Sequence, residues 1–495
     1  MNKYDEINTE VPEPEGQKTK YRWKTYFLRQ LLVSSAVWAH YFVTGLFFGT
    51  PTVLIPQMRR EANSTEAVGE EIGSWLCSVF GFSAIPWVFI IPLTITKLGR
   101  KIPFIIACVN IFAALIAMYY SYTPMQILMS EILQGMNHAT NVTLAVVIIS
   151  EYTSPKYRGI FLTIKSATFF WGIWISNAIG TFFHWKCIPL FGMVCAGYTM
   201  ISVFWPESPY WLADKGRFEE CRKAHRWLHG SNENSILEVE TLIASQTEYL
   251  KSCDSRKRNW TFSSILHTIT CKQFYKPILL SILMVSQYHL SGKYVCSMYV
   301  IDIIKRITKS ESTAYTGMLI LDGVTVLGMY VGCFLSKILK RRTLFLGSST
   351  VGITFLFIIA LYLYLIKLSI IGENNIVSIL LLISFSVPIS CGPMIMTTSL
   401  YGEIIPLRFK TACYLITALM SEIYSTSFLK IAPLIFKTFG THGTFLFYGI
   451  ASGFFTVLLY IFLPETKDKT LQEIEYYFKS KEVIPKETEY LKPLQ

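Results

Sequence analysis

Apolar residues run along this chain in long blocks separated by short charged stretches. Blocks near the roughly 20 residues that a helix needs to cross a bilayer recur from Leu31 to Leu463. Twelve can be delimited, the first six at about 31–55, 72–95, 103–122, 125–150, 160–184 and 187–205. The second six fall at about 274–303, 314–336, 343–366, 376–401, 408–434 and 442–463. Each predicts a helix, because a segment in lipid must satisfy its own backbone. The polar stretch 206–272 divides the two sets. Within it, charges alternate with Phe218, Ala224, Trp227 and Leu228, and Leu237 to Tyr249 repeats that spacing, which predicts surface helices. The expectation is an all-α membrane protein of twelve transmembrane helices in two six-helix halves. Its parts are a tail (1–30), an N-terminal half (31–205), a helical loop (206–272), a C-terminal half (273–463) and a second tail (464–495).

Composition agrees. The chain is 52% apolar and 16% charged, against about a quarter charged for a soluble domain. That excludes a secreted disulfide scaffold, a disordered protein and most soluble enzymes. The 45 Lys and Arg exceed the 33 Asp and Glu, a net charge of +12. The excess lies between apolar blocks: at Lys97, Arg100 and Lys101, at Lys156 and Arg158, through the central loop, and at Lys337, Lys340, Arg341 and Arg342. With twelve spans all of these fall on one side, so the positive-inside rule places both termini in the cytoplasm. This distribution argues against a nucleic-acid partner. The eleven cysteines are scattered without metal or redox spacing. Met1–Gln30 lacks a signal-peptide pattern, so the first span is expected to direct insertion. Asn63-Ser64-Thr65 lies in the first outer loop, which makes Asn63 a glycosylation acceptor. No cofactor, metal or enzymatic constellation is expected. The expected partners are a small-molecule substrate and membrane lipid, with the protein working as a monomer in the plasma membrane.

Some charges repeat between the halves. Lys97-Leu98-Gly99-Arg100-Lys101 follows the second span, and Lys337 to Arg342 follows the eighth. Glu151 precedes Arg158-Gly159 by seven residues, as Glu403 precedes Lys410. Each half thus sets a carboxylate at a span's inner end and a cation two helical turns on. Such ions could latch the inner face of a two-half transporter.

Two further segments are the most specific. They are Pro206-Glu207-Ser208-Pro209-Tyr210-Trp211-Leu212 with Lys215-Gly216-Arg217, and Pro464-Glu465-Thr466-Lys467 with Lys469-Thr470-Leu471. In these the chain resembles the sugar porter family of the major facilitator superfamily, from about Leu31 to Phe478, and its wording is similar to the insect branch that includes facilitated trehalose transporters. The resemblance implies twelve helices in two halves, substrate between them and alternating access. It also implies a cytoplasmic gate of Arg100, Glu151, Arg158, Glu207, Arg341, Glu403, Lys410 and Glu465.

The departures from the family pattern are informative. Thr96 and Lys97 replace an Asp and an Arg, and Glu131 replaces an arginine, which suggests Glu131 as a new latch partner. Family sugar ligands are mostly Gln and Asn, because amides donate and accept together. The corresponding positions here are Ser166, the run Tyr288-His289-Leu290-Ser291-Gly292-Lys293-Tyr294, Thr325, Thr398 and Ser421, with Glu422 beside it. The implied substrate-binding set is Ser166, Tyr288, His289, Lys293, Tyr294, Thr325, Thr398, Ser421 and Glu422. Charges inside spans are costly and face a cavity or a partner, so Lys293 and Glu422 are expected to pair, either structurally or around an ionic ligand. Neutralising Lys293 is expected to abolish transport without loss of surface protein. Pro51 stands where proton-driven relatives carry an Asp, which points to uncoupled movement. The expected function is facilitative transport of a small polar solute, a hexose or trehalose. The alternatives are a non-sugar organic solute, ionic or proton-coupled, and a non-transporting receptor or sensor.

Overall fold

A computed structural model describes residues 15–254, 272–405, 410–467 and 478. Ten helical stretches are long and apolar enough to cross a membrane. The first six spans are Thr25–Glu61, Glu70–Leu98, Lys101–Tyr119, Pro124–Tyr152, Tyr157–Phe182 and Cys187–Phe204. The eighth, ninth and tenth are Glu311–Ile338, Arg341–Lys367 and Asn375–Thr397. Cys413–Phe462 contains the eleventh and twelfth, joined at Gly440, whose φ of 68° and ψ of 175° interrupt the helix. The seventh span is broken into Lys272–Leu290, Lys293–Met298 and Val300–Thr308. Among the described residues this makes twelve crossings.

The break in the seventh span has a local cause. Gly292 adopts φ 75°, in the left-handed region that glycine tolerates. A Cβ at Gly292 would also stand 2.8 Å from Tyr448 Cγ. A second interruption falls at Tyr299, with φ −105° and ψ 23°. Irregular backbone at membrane depth is tolerated where protein or a cavity surrounds it. Here it re-aims the polar residues on either side.

Close helix crossings set the rest. The first span packs along the fifth at Gly45 and Gly172, where a Cβ on Gly45 would collide with the Phe169 carbonyl. Small residues at such crossings let backbones approach. Gly45→Val is expected to cost about 3 kcal/mol through overpacking. Thermal unfolding in detergent checks this, and an unchanged midpoint would count against the crossing. The outer surface is apolar, as Leu93, Val194, Phe204 and Phe454 illustrate, which suits lipid contact. The halves meet where the fifth span packs on the eighth, the second on the eleventh, and Lys293–Met298 on the first.

Helices Pro209–Asp214, Phe218–His229 and Glu233–Asp254 follow the sixth span. They share a small core of Trp211, Leu212, Cys221, Ala224, Val239 and Ile243. Arg29 Nη1 donates to the Trp227 carbonyl at 2.9 Å and Gln30 Nε2 to the Leu228 carbonyl at 3.2 Å, which fixes them to one end of the bundle. That end is termed the loop end, and the opposite one the far end. Burial pushes His225 down to about 4. Burial also pushes His229 down to about 4, helped by the charges of His225 and Arg158. A depressed histidine leaves the unfolded segment binding more protons between about 4 and 6.5, so stability falls as pH falls through that window. Hydrogen exchange across Phe218–His229, corrected for intrinsic rates, is expected to be faster at pH 5 than at pH 7.5. Equal protection at both would contradict this.

Candidate functional site between the halves

Several polar side chains turn inward around the broken seventh span. Lys293 is 1% exposed. Its Nζ donates to Thr325 Oγ1 at 2.7 Å and to Ser386 Oγ at 2.6 Å. One turn from Thr325 on the eighth span, Asp322 lies within electrostatic reach of Lys293. Asp322 Oδ2 accepts from Asn177 Nδ2 of the fifth span at 2.7 Å, a hydrogen bond that crosses between the halves. Asp322 is thus a nearby negative charge for Lys293 at more than ion-pair distance, and the expected pairing of Lys293 with Glu422 does not occur.

Glu422 instead meets His138 of the fourth span, with Oε1 3.1 Å from His138 Nε2. The contact joins the two halves, and both side chains are more than nine-tenths buried. It depends on Gly81, where an added Cβ would collide with Thr426, one turn from Glu422. Beside Glu422, Ser421 Oγ lies 3.0 Å from His289 Nε2. The His289 ring sits among Tyr288, Tyr294 and Tyr424, with centroids 5.1, 5.6 and 6.4 Å away. Tyr294 reaches across to Phe48 at 4.9 Å. Ser166 remains on the fifth span, its hydroxyl bonded back to the Leu162 carbonyl at 3.3 Å. The side chain of Thr398 lies outside the described residues. The structure thus joins Lys293 to Thr325, and His289 to Ser421, Tyr288 and Tyr294.

The fourth span carries a polar stripe of which the resemblance pointed only to Glu131. Glu131, Gln134, His138 and Asn141 recur at helical spacing and are all buried. Asn141 bonds His40 at 3.0 Å and donates to Thr44 at 2.7 Å. Glu131, Gln134 and His138 line a small cavity with Thr44, Phe47, Phe48 and Phe80. Glu131 lies on the far side of about 30 Å of helix from Glu151. It is therefore no partner in a loop-end latch, contrary to the sequence expectation. The periodicity of buried polar positions in the fourth span was the available signal for this stripe. For Asp322, Asn177 and Lys165 the signal was a charged or amide group inside an apolar span.

At the loop end, Arg100 grips Glu151 with two bonds, Nε to Oε2 at 2.9 Å and Nη2 to Oε1 at 2.8 Å. Ser208 Oγ donates to the same carboxylate at 2.5 Å. Arg158 lies beside Tyr210. Glu207 accepts from the backbone N–H of Arg100 at 2.8 Å and of Lys101 at 3.2 Å, so it caps the third span. The second half repeats this: Glu465 accepts from the N–H groups of Arg341 at 3.1 Å and Arg342 at 3.2 Å at the start of the ninth span. These bonds lie within each half. The side chains of Glu403 and Lys410 fall outside the described residues. Among the described residues, the charged contacts nearest either end that join the halves are at the far end. Arg60 pairs with Glu311 at 2.9 Å, and Lys430 donates to Ser74 Oγ at 2.9 Å. Asn63 is exposed at that end.

Comparison with known families resolves what this arrangement belongs to. A model of the family described as "Sugar (and other) transporter" matches residues 32–478. The chain belongs to this transporter family. A facilitated trehalose transporter, Tret1 of Bombyx mori, is 24% identical over 95% of this chain and 92% of its own length. A Tret1-2 homologue of Drosophila simulans is 23% identical over 95% and 93%. The fold is that of the proton:xylose symporter XylE. XylE bound to 6-bromo-6-deoxy-D-glucose superposes with a TM-score of 0.71, at 16% identity, covering 92% of this chain and 99% of the other. An inward-open XylE from E. coli also gives 0.71, at 15% identity and 91% and 99% coverage. The protein is therefore an all-α, multi-pass membrane protein of the sugar (and other) transporter family. The imidazole and hydroxyl groups at the broken seventh span stand between the two halves of this fold.

Proposed function

We propose that the protein carries a hexose or trehalose down its gradient by alternating access, binding it between the halves at Tyr288, His289, Tyr294, Thr325 and Ser421, with Ser166 and Thr398 completing the set. The observation that carries this reading is the His289–Ser421 contact beside the break in the seventh span, ringed by Tyr288, Tyr294 and Tyr424. An imidazole and hydroxyls can donate to and accept from a sugar's hydroxyls, and the rings give its C–H faces an apolar bed. Pro51 at the first-span position of the proton-linked Asp favours movement without a coupled proton.

The loop end is taken as cytoplasmic, because the basic residues concentrate there. The protein is placed in the plasma membrane as a monomer, with lipid around its apolar surface and both termini inside. Asn63 then faces outward for glycosylation. Arg100, Glu151, Arg158 and Glu207 order the loop end of one half, and Arg341, Glu403, Lys410 and Glu465 that of the other, so that each half moves as a block. Purified protein in liposomes is expected to take up labelled trehalose or glucose saturably. Uptake of both no faster than into empty liposomes would reject the proposal. His289→Ala is expected to raise the half-saturating sugar concentration about tenfold, the loss of roughly one hydrogen bond in a dry site. An unchanged value would remove His289 from the site.

A further inference from the structure

The buried charges between the halves are compensated, with two exceptions. Lys293 has Thr325, Ser386 and Asp322. Glu422 has His138, and Asp322 has Asn177. Glu131 faces the small fourth-span cavity with one oxygen unpartnered. The other exception is Lys165, on the fifth span next to Ser166. It is 6% exposed. Its ammonium stands 4.4 Å from the centre of the Tyr41 ring. Among the described residues no carboxylate lies within ion-pair distance of it and no acceptor bonds it. A ring face offsets only part of the cost of taking an ammonium out of water. A buried cation of this kind between two moving halves is suited to a ligand that brings the missing negative charge.

The surroundings narrow the ligand. Tyr41 lies within electrostatic reach of Tyr288, Tyr294 and Glu422, so Lys165 borders the sugar site proposed above. The Glu422 carboxylate in that region is engaged by His138 at 3.1 Å. One ammonium matches one carboxylate, and the hydroxyls of Ser166, Tyr288 and Ser421 match a polyol. We propose that Lys165 is the recognition point for the carboxylate of a monosaccharide acid. Neutral hexoses would bind the same hydroxyl and imidazole groups without that contact. This inference rests on the transport reading and names the substrate class that the site prefers.

The test uses the full chain in liposomes, with labelled D-glucuronate and D-glucose as probes. Wild-type protein is expected to take up both, with glucuronate favoured. Lys165→Gln is expected to lower the glucuronate-to-glucose uptake ratio at least tenfold, the loss expected for a charge-assisted hydrogen bond. Lys165→Arg, which keeps the charge, is expected to retain most of the wild-type ratio. Wild-type uptake of glucose without glucuronate overturns the proposal and leaves sugar transport standing. An unchanged ratio in Lys165→Gln, with both rates falling together, overturns it in favour of a structural lysine. Failure of both probes in wild-type protein overturns this inference, and failure of labelled trehalose alongside them overturns the transport reading as well.

Discussion

Lys293→Met is expected to destabilise the protein by about 3 kcal/mol, because it removes the ammonium that Thr325 and Ser386 bond and leaves the buried Asp322 without its nearby cation. Asp322 would be left 5% exposed with only Asn177 bonding it. Adding Asp322→Asn is expected to recover most of that loss, because an amide can remain bonded to Asn177 without a buried charge. The thermal unfolding midpoints of the single and double variants check this. If the double variant is no more stable than Lys293→Met alone, Asp322 does not depend on Lys293. This revises the expectation drawn from the sequence, that neutralising Lys293 abolishes transport without loss of protein. With Thr325 and Ser386 also holding its ammonium, Lys293 is first a strut of the C-terminal half.

Glu207→Ala is the second large effect. Its carboxylate accepts from three backbone N–H groups, those of Arg100, Lys101 and Ser208. It occupies the space where a Cβ on Gly99 would otherwise project, and Gly99 holds a φ of 90°. Removing it orphans the first turn of the third span, an expected loss of about 3 kcal/mol. Glu207→Gln keeps an acceptor oxygen and is expected to lose about 1 kcal/mol, the charge-assisted share. Glu465→Ala should behave alike, since Glu465 does the same for the ninth span. Yield and melting temperature of the three variants measure this. Wild-type melting of Glu207→Ala would show that the cap carries no weight.

Much of the architecture was legible because lipid imposes it. A helix must be long and apolar to cross a bilayer, so the spans announce themselves in the chain. The seventh is broken in the structure at Gly292 and Tyr299, and His289 and Tyr294 beside the first break belong to the candidate site. The partners were less legible. Which carboxylate lies near Lys293 depends on how each helix is rotated and how closely it approaches its neighbours. Gly45 against Phe169 and Gly81 against Thr426 set those approaches, and neither pairing is visible along the chain. Glu207 and Glu465 were legible as a repeated pair through the resemblance. Their bonds to backbone N–H groups were not, because a cap is a feature of the folded turn. His138 and Lys165 escaped notice because no family position drew attention to them.

Alternating access requires a sugar site reached from one side of the membrane at a time. Counterflow tests this most directly. Liposomes carrying the protein are loaded with unlabelled glucose or trehalose, and entry of a trace of the same labelled sugar is followed. A carrier of alternating access is expected to show entry that overshoots equilibrium and then decays, with no overshoot in unloaded vesicles. Equal, monotonic entry with and without internal sugar would contradict it.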